Sequence, residues 1–490
     1  YCDPCRKCQE QCPTHAIDLN QQPWEEDLEV GSIILSVGYK LYDPTAAQEY
    51  GYGRFPNVLT SLQYERLASR SGPTEGIPQR PSDGRLPHKI AWLQCVGSRD
   101  QSHPYCSSIC CMYTTKEAVL AKQRLPGVEA KVFMMDERAF SKEYNAYYEQ
   151  ARNQWGIQYI RCRVSEIKED TLTHDLYVRY QDEAGELQQE RFNMVVLAVG
   201  SEPPPAAVAL AEKLHIDLNQ YGFCDTDKFA PLETSRPGIF VAGAFTTPKE
   251  IAETVIDASG AVAESLKLLP GTRGTLSRER ALPPERDVSQ EAPRVGVFVC
   301  RCGTAVADVV DVPAVTKMAA TLPDVVHAQE VTFACLEEDL PKIREAIRDH
   351  HLNRVVVAAC TPRTHEALFR KVLQQEGLNP YLLEFVSIRE HCAWVHPDDP
   401  AGATRQAKEM VRVGAARARL LRPIHKERRP VRQQTLVLGG GIAGMTAART
   451  LADWGYDVYL VEKTDRLGGQ VRIVHFTAEG PDPQRFLTFL

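Results

Sequence analysis

The sequence has no uninterrupted apolar run near the ~18 residues that a membrane-crossing helix needs, and no signal-peptide pattern opens it. It also has no excess of positive charge. Its 57 Lys and Arg stand against 64 Asp and Glu, a formal net charge of −7, which argues against nucleic acid as the main partner. Nor are its cysteines scattered: the fifteen fall in clusters. A secreted disulfide scaffold is normally short and carries an export signal, whereas clustered thiols in a reducing cytosol hold metal or do redox chemistry. What remains is an ordinary composition, 43% hydrophobic and 25% charged over 490 residues, long enough for about three domains. The expectation is a cytoplasmic protein without a transmembrane segment. The chain opens at Tyr1 inside a cysteine motif and ends soon after a glycine-rich signature, so it reads as a piece of something longer.

The opening residues read C-x-x-C-x-x-C-x-x-x-C-P, with Cys2, Cys5, Cys8 and Cys12 before Pro13. Two-residue gaps let one tight loop aim three thiolates at a single iron–sulfur cube, and the proline turns the chain away. The alternative, a zinc knuckle, normally separates paired C-x-x-C halves by a longer spacer. A 4Fe–4S ferredoxin motif is expected, with Cys12 able to serve a second cube.

Apolar strands ending in glycine recur at 30–38, 192–200 and 238–243, and the last precedes a helical stretch at 251–269. Runs apolar on both faces suit a buried parallel sheet. Residues 270–293 are rich in Pro, Arg, Ser and Gly and read as a linker. From 294 the pattern alternates: strands at 295–299, 325–331, 355–359 and 381–386, helices at 312–322, 340–349 and 365–376, and a long helix at 401–421. That alternation implies right-handed crossovers and a parallel α/β sheet. A basic connector spans 422–434.

The last segment holds the strand 435–438, then Gly439, Gly441 and Gly444 in G-x-G-x-x-G spacing, a helical run, a second strand and Glu462. This is the context of a dinucleotide-binding fingerprint: glycines admit a pyrophosphate to the helix N-terminus, and the acid accepts from ribose hydroxyls. Gly468 and Gly469 just beyond favour FAD over NAD.

Two further cysteine groups stand where a sheet would present ligands. Between a strand at 89–94 and a helix at 114–124, the loop that would carry glycines for NAD(P)H reads CVGSRDQSHPYCSSICC; only Gly97 remains, and Cys95, Cys106, Cys110 and Cys111 replace the phosphate cradle. A 4Fe–4S cluster is expected there, a redox-active disulfide being the alternative. In the 294–421 unit, Cys300 and Cys302 follow the first strand, Cys335 the second, Cys360 the third and Cys392 the fourth. Parallel strands bring all these ends to one edge, the usual ligand edge of open sheets. A cluster needs four of the five; the plainer reading is that several are small buried residues. Cys162 and Cys224 read as ordinary thiols.

These residues resemble a known family, the A-type subunits of heterodisulfide reductase, which are iron–sulfur flavoproteins. The resemblance is carried by VGSRDQSHPYCSSICCMYTTKEA, EYGYGRFPNVLTS, RPSDG, the opening cysteine run, VFVCRCG, VVVAACTPRTHEALFR, REHCAWVH and GGGIAGMTAARTLADWGYDVYLVEK, which ends at Lys463. It implies thioredoxin-reductase-like doubly wound flavin-domain parts, a ferredoxin-like segment and a separate α/β cysteine domain. It also implies FAD and 4Fe–4S clusters, possible electron bifurcation, and partners among heterodisulfide-reductase-like, hydrogenase or dehydrogenase subunits, with ferredoxin as a further candidate. The order of parts suggests the middle of a tandem protein: a ferredoxin-like segment at 1–27, a second half of a flavin domain at 28–270, a linker at 271–293, an amino-terminal-type domain at 294–424 and a new flavin start at 433–490. Gly243 lies at the flavin-facing turn, but Ala244 stands where many flavoproteins have Asp, which weakens the expected grip there. The rival readings are an NAD(P)H-dependent flavin disulfide reductase and a non-catalytic scaffold that wires clusters between enzymes.

Overall fold

The computed structural model describes residues 6–10, 12, 16–69, 72–272, 274–275, 281–427, 429–478, 480 and 482–490. The chain divides into two compact units, one of residues 1–27 with 276–431, the other of 28–275 with 432–490.

The second unit is built on a five-stranded parallel sheet in the order Val58–Thr60, Met194–Val199, Lys89–Val96, Glu129–Met134, Gln158–Arg161. Met194–Val199 is buried at every position, as a central parallel strand covered on both faces must be. One face carries the helices Ser61–Ala68 and Cys110–Arg124, packed through Tyr64, Trp92, Ala118 and Val196. The first of these opens with a reciprocal cap, Thr60 with Gln63, that satisfies two otherwise orphaned N–H groups. The other face is covered by an antiparallel sheet of Val164–Glu169, Leu176–Gln181 and Leu187–Phe192. The apolar pattern gives no sign of this sheet, and Phe192 ends its last strand instead of opening the strand that follows. The RPSDG segment proves to be an anchor: buried Arg80 pairs with buried Asp175 at 3.2 Å, and Asp175 also accepts from Asn193.

Beside this sheet, Ile33–Leu35 pairs in parallel with Ile239–Val241, backed by the helix Ile251–Leu268. The strands Gln434–Leu438 and Asp457–Val461 form a separate parallel pair flanking the helix Ile442–Asp453. The two parts of the unit meet: Trp454 Nε1 donates to the Ala263 carbonyl at 2.9 Å, and Phe229 stacks on Phe486 at 4.6 Å. Residues 435–490 thus contact the 28–275 part of the unit, although the two strand pairs do not merge into one sheet.

Glu117, fully buried under this sheet, accepts from Trp92 Nε1 at 3.0 Å while its other oxygen has no partner. Burial, and then the nearby Glu65 charge, push its carboxyl well above the usual range. The folded state therefore holds a proton that the unfolded chain releases near pH ~4.3, and stability falls as pH rises from there towards the folded value. Glu117→Gln keeps an acceptor for Trp92 without the proton. The variant is expected to gain thermal stability over the parent at pH 8, the gap narrowing towards pH ~4. Unfolding midpoints measured across that range test this; a constant gap refutes it.

The first unit holds a four-stranded parallel sheet in the order Val325–Val331, Val295–Cys300, Arg354–Ala359, Leu383–Ser387. Val295–Cys300 and Arg354–Ala359 are buried throughout, and helices on both faces enclose two apolar cores. The alternation expected from sequence is present, with ends shifted by a few residues. The linker reading needs correction for its second half. Val288 is fully buried in the core, Arg286 N donates to the Gly377 carbonyl, and Asn353 and Asn379 donate to Glu291 and Glu285. That stretch is docked, because two buried asparagines need acceptors and find them in its carboxylates.

Candidate functional site

The cysteine loop of the second unit sits at the carboxyl edge of its central strands. Cys95 lies at the end of the strand Lys89–Val96 and, unusually for a side-chain-bearing residue, has a positive φ of 59°; Gly97 (67°), Arg99 (58°) and Ser108 (62°) share that left-handed conformation. The helix begins at Cys110, four residues before the start expected from sequence, so Cys110 and Cys111 form its first turn. The loop is fixed from several sides. Gly200 N donates to the Val96 carbonyl, Ser201 N to Ser107 Oγ and Tyr105 OH to the Ser201 carbonyl; Arg99 is paired with Asp136. Ser108 N donates to Cys106 Sγ at 3.3 Å, as an amide does to a thiolate ligand. Burial drives the Cys110 thiol up to about 12, and Cys111 higher still. Without a positive centre both stay protonated, so a metal bound there would have to displace protons. Cys162 lines a small cavity together with Cys95 but lies outside the four.

A cavity of about 420 Å³ adjoins this loop; Ile109 and Tyr113 line it together with Gly38, Gly243, Ala244 and Lys249. Tyr113 OH and Cys110 Sγ both point at the Val199 carbonyl, at 3.2 and 3.9 Å. Ala244 carries no polar side chain, and the turn is held by a residue that belongs to no motif. Asp257, from the helix Ile251–Leu268, accepts from Gly243 N at 3.2 Å and pairs with Lys249. Helical spacing alone could have suggested Asp257 only if its partner strand end were known.

The glycine loop of the same unit is tightly closed. A Cβ on Gly444 would stand 1.8 Å from the Gly439 carbonyl oxygen, and one on Gly440 2.5 Å from Leu467, whereas Gly439 and Gly441 face open space. The helix Ile442–Asp453 starts there with no side-chain cap, leaving its N–H groups for a ligand. Glu462 accepts from Gly440 N at 2.7 Å and from Thr464, which holds its carboxylate below the usual range. Gly468 N donates to the Gly440 carbonyl, and Gly469 approaches Gly441; Lys463 is exposed beside them. The loop fits a dinucleotide pyrophosphate.

In the first unit, the strand order brings the ends of Val295–Cys300 and Arg354–Ala359 side by side at the point where the chain reverses its direction of winding. Such crevices are where open sheets bind ligands. Cys300, Cys302, Cys335 and Cys360 gather there. Cys302 N and Ala334 N donate to Cys300 Sγ at 3.3 and 3.4 Å, the Cys302 thiol is lowered by a bond from Cys300 and then by Arg389, and burial followed by the Cys360 charge raises Cys335. Arg389 stands 3.7 Å from Cys302 Sγ and lies over Trp394. Cys392 does not join them. It lies in the π-helical turn Arg389–Ala393, fully buried on the opposite core, with its sulfur 3.5 Å from Met410 Sδ. His365 and His391 take part in no metal-like grouping; among the described residues no set of three or more His, Cys, Asp or Glu stands as the ligands of a metal ion would. Thiolate sulfur is the donor that soft metals and iron–sulfur clusters take, and these four thiols share the crevice without standing in ligand geometry. Of the opening run, Cys8 is exposed and Cys12 half-buried after the short helix Lys7–Glu10; Cys2 and Cys5 lie outside the described residues.

Residues 113–263 match the family described as pyridine nucleotide-disulphide oxidoreductase, and 437–486 that of NAD(P)-binding Rossmann-like domains. Fold and matches define an oxidoreductase of mixed α/β build with parallel, Rossmann-type sheets. Over about half of its length the chain is a relative of the A-type subunits of heterodisulfide reductase. It is 44% identical over 259 residues to the second iron-sulfur A-type subunit of CoB–CoM heterodisulfide reductase from Methanopyrus kandleri, covering 52% of this chain and 40% of that protein. To the corresponding subunit of the H2:CoB-CoM heterodisulfide,ferredoxin reductase of Methanothermobacter marburgensis it is 40% identical over 287 residues, covering 57% and 43%. The chain thus matches less than half the length of these relatives. Among solved structures, the thioredoxin reductase of T. acidophilum matches at 17% identity and TM-score 0.33, over 48% of this chain and 64% of that one. Among the described residues no helix is long and apolar enough to cross a membrane.

Proposed function

We propose that the chain is an iron–sulfur flavoprotein element of a heterodisulfide-reductase-like complex. FAD would be held by Gly439, Gly441, Gly444, Glu462, Lys463, Gly468 and Gly469, with Gly243 at its reactive end. 4Fe–4S clusters would be held by Cys95, Cys106, Cys110 and Cys111, by Cys300, Cys302, Cys335 and Cys360, and by the run Cys2, Cys5, Cys8 and Cys12. When bound, flavin accepts electrons in pairs and clusters pass them singly, which is the chemistry flavin-based bifurcation requires. The chain's own part is placement. Asp257 and Lys249 fix the Gly243 turn, Tyr113 walls the cavity, and the Cys110 thiol lies beside Tyr113 at the Val199 carbonyl. Ferredoxin and other subunits of such complexes, including hydrogenase or dehydrogenase subunits, are the proposed partners.

One observation carries this reading: four cysteines occupy the strand-to-helix turn where a pyridine-nucleotide enzyme needs a glycine cradle. The disulfide reductase reading draws on the family match at 113–263. Anaerobic purification with iron, sulfide and flavin quantitation and paramagnetic-resonance spectra separates the readings. Iron and flavin together are expected. Flavin without iron supports the reductase, and iron without flavin supports the wiring scaffold.

A further inference from the structure

The amino edge of the four-stranded sheet, opposite the gathered cysteines, carries a further cavity of about 800 Å³. Its walls are the docked stretch 285–290 and the connector at Arg422–His425, with Arg354 at the start of its strand. Three arginines line it, Arg286, Arg354 and Arg422, and among the described residues none of them is in an ion pair with a carboxylate. Arg354 is only 5% exposed; one of its terminal nitrogens donates to the Asn353 carbonyl at 2.8 Å, while its Nε has no partner. Arg286 spends one donor on the Leu352 carbonyl at 3.0 Å and keeps the rest. Burial lowers the Arg354 pKa, and the charge of Glu291, which is held by Asn353 and stands beyond ion-pair distance, offsets this only in part.

Two carboxylates, Glu285 and Asp287, share the lining, and neither is ion-paired with these arginines. Glu285 accepts from Asn379 at 2.9 Å and lies 3.8 Å from His425; Asp287 accepts from Ser289 N at 3.0 Å. Three guanidinium groups against two carboxylates leave the lining with a net positive charge. Guanidinium forks match the oxygens of phosphate in pairs. The volume lies within the ~300–1,000 Å³ of small-molecule sites. No Phe, Tyr or Trp lines the cavity, so a nucleobase would find no stacking surface.

We propose that this cavity binds the phosphate groups of a small oligophosphate, read by Arg286, Arg354 and Arg422. The site lies on the opposite sheet edge from the cysteines and does not depend on them holding a cluster. The full chain is titrated calorimetrically with sodium pyrophosphate at constant ionic strength, and in parallel with adenosine diphosphate and with an octaglutamate peptide. One saturable pyrophosphate site is expected, weakened at least about tenfold in Arg422→Ser and in Arg286→Ser. Adenosine diphosphate equal to pyrophosphate means that the phosphates alone are read; tighter binding means that a nucleotide supplies them. Both agree with the proposal. No saturable heat up to about 10 mM, equal binding by Arg422→Ser and the parent, or binding of octaglutamate alone overturns it. Unfolding midpoints of both variants matching the parent exclude misfolding as the cause of lost binding.

Discussion

Cys111→Ser in the intact, oxygen-protected protein is expected to remove about four irons and one paramagnetic signal per chain, leaving the flavin and the other signals in place. Cys111 sits in the first turn of Cys110–Arg124, buried, with its sulfur 3.5 Å from Gln94 Oε1 and 3.9 Å from the Asp136 carbonyl. These neighbours can accept from a serine hydroxyl, so the fold has no reason to fail. Under the proposed assignment, what is lost is a soft donor at one corner of the set with Cys95, Cys106 and Cys110. In the first unit the same reasoning separates two cysteines that look alike in sequence. Cys302→Ser should remove a comparable quantity of iron, because Cys302 stands with Cys300, Cys335 and Cys360. Cys392→Ser should remove none, because its sulfur faces Met410. Iron content and low-temperature spectra of the three variants provide the check; iron loss in Cys392→Ser, or none in Cys111→Ser, contradicts the assignment.

Gly200→Val is expected to destabilise the second unit by about 2–4 kcal/mol and to empty the 95–111 loop of metal together with it. Gly200 has no room for a side chain: a Cβ there would stand 2.4 Å from the Gly97 carbonyl oxygen and 3.0 Å from Ser107 Oγ. Its own amide and carbonyl are bound to the Val96 carbonyl and the Tyr42 amide, so the strand end cannot slide away without opening the loop. Gly127→Ala supplies the contrast. That position is left-handed (φ 75°) but open, with nothing within 4 Å, so only backbone strain of about 1 kcal/mol is expected, with metal retained. Denaturant unfolding with iron assay distinguishes crowding at the loop from strain alone. Similar losses in both variants would show that close packing against Gly97 does not matter.

Much of this arrangement is readable from the sequence where burial is two-sided. Val295–Cys300, Arg354–Ala359 and Met194–Val199 are buried without interruption and almost wholly apolar, and only a covered parallel strand tolerates that. The antiparallel sheet of Val164–Glu169, Leu176–Gln181 and Leu187–Phe192 escapes notice for the converse reason. Its strands carry Glu166, Lys168, Arg179 and Glu190, so each looks as polar as a loop. Gly439, Gly441, Gly444 and Glu462 are legible because strand, turn, helix and acid fall within one short segment. The link from Asp257 to Gly243 is not, since it joins a helix to a strand end through a pairing no local pattern encodes. Cys392 marks the same limit: proximity to a strand end says where a residue stands, and the π-helical turn decides where its sulfur points.

The winding order of the four-stranded sheet has one more effect. Cys300, Cys302, Cys335 and Cys360 arrive on three different strand ends, so their grouping exists only after the crossovers have closed. A half-made sheet offers at most a pair of thiols from one turn. A cluster bound by these four sulfurs, as proposed above, would thus report that the architecture is finished, and loading it would double as an inspection of the fold.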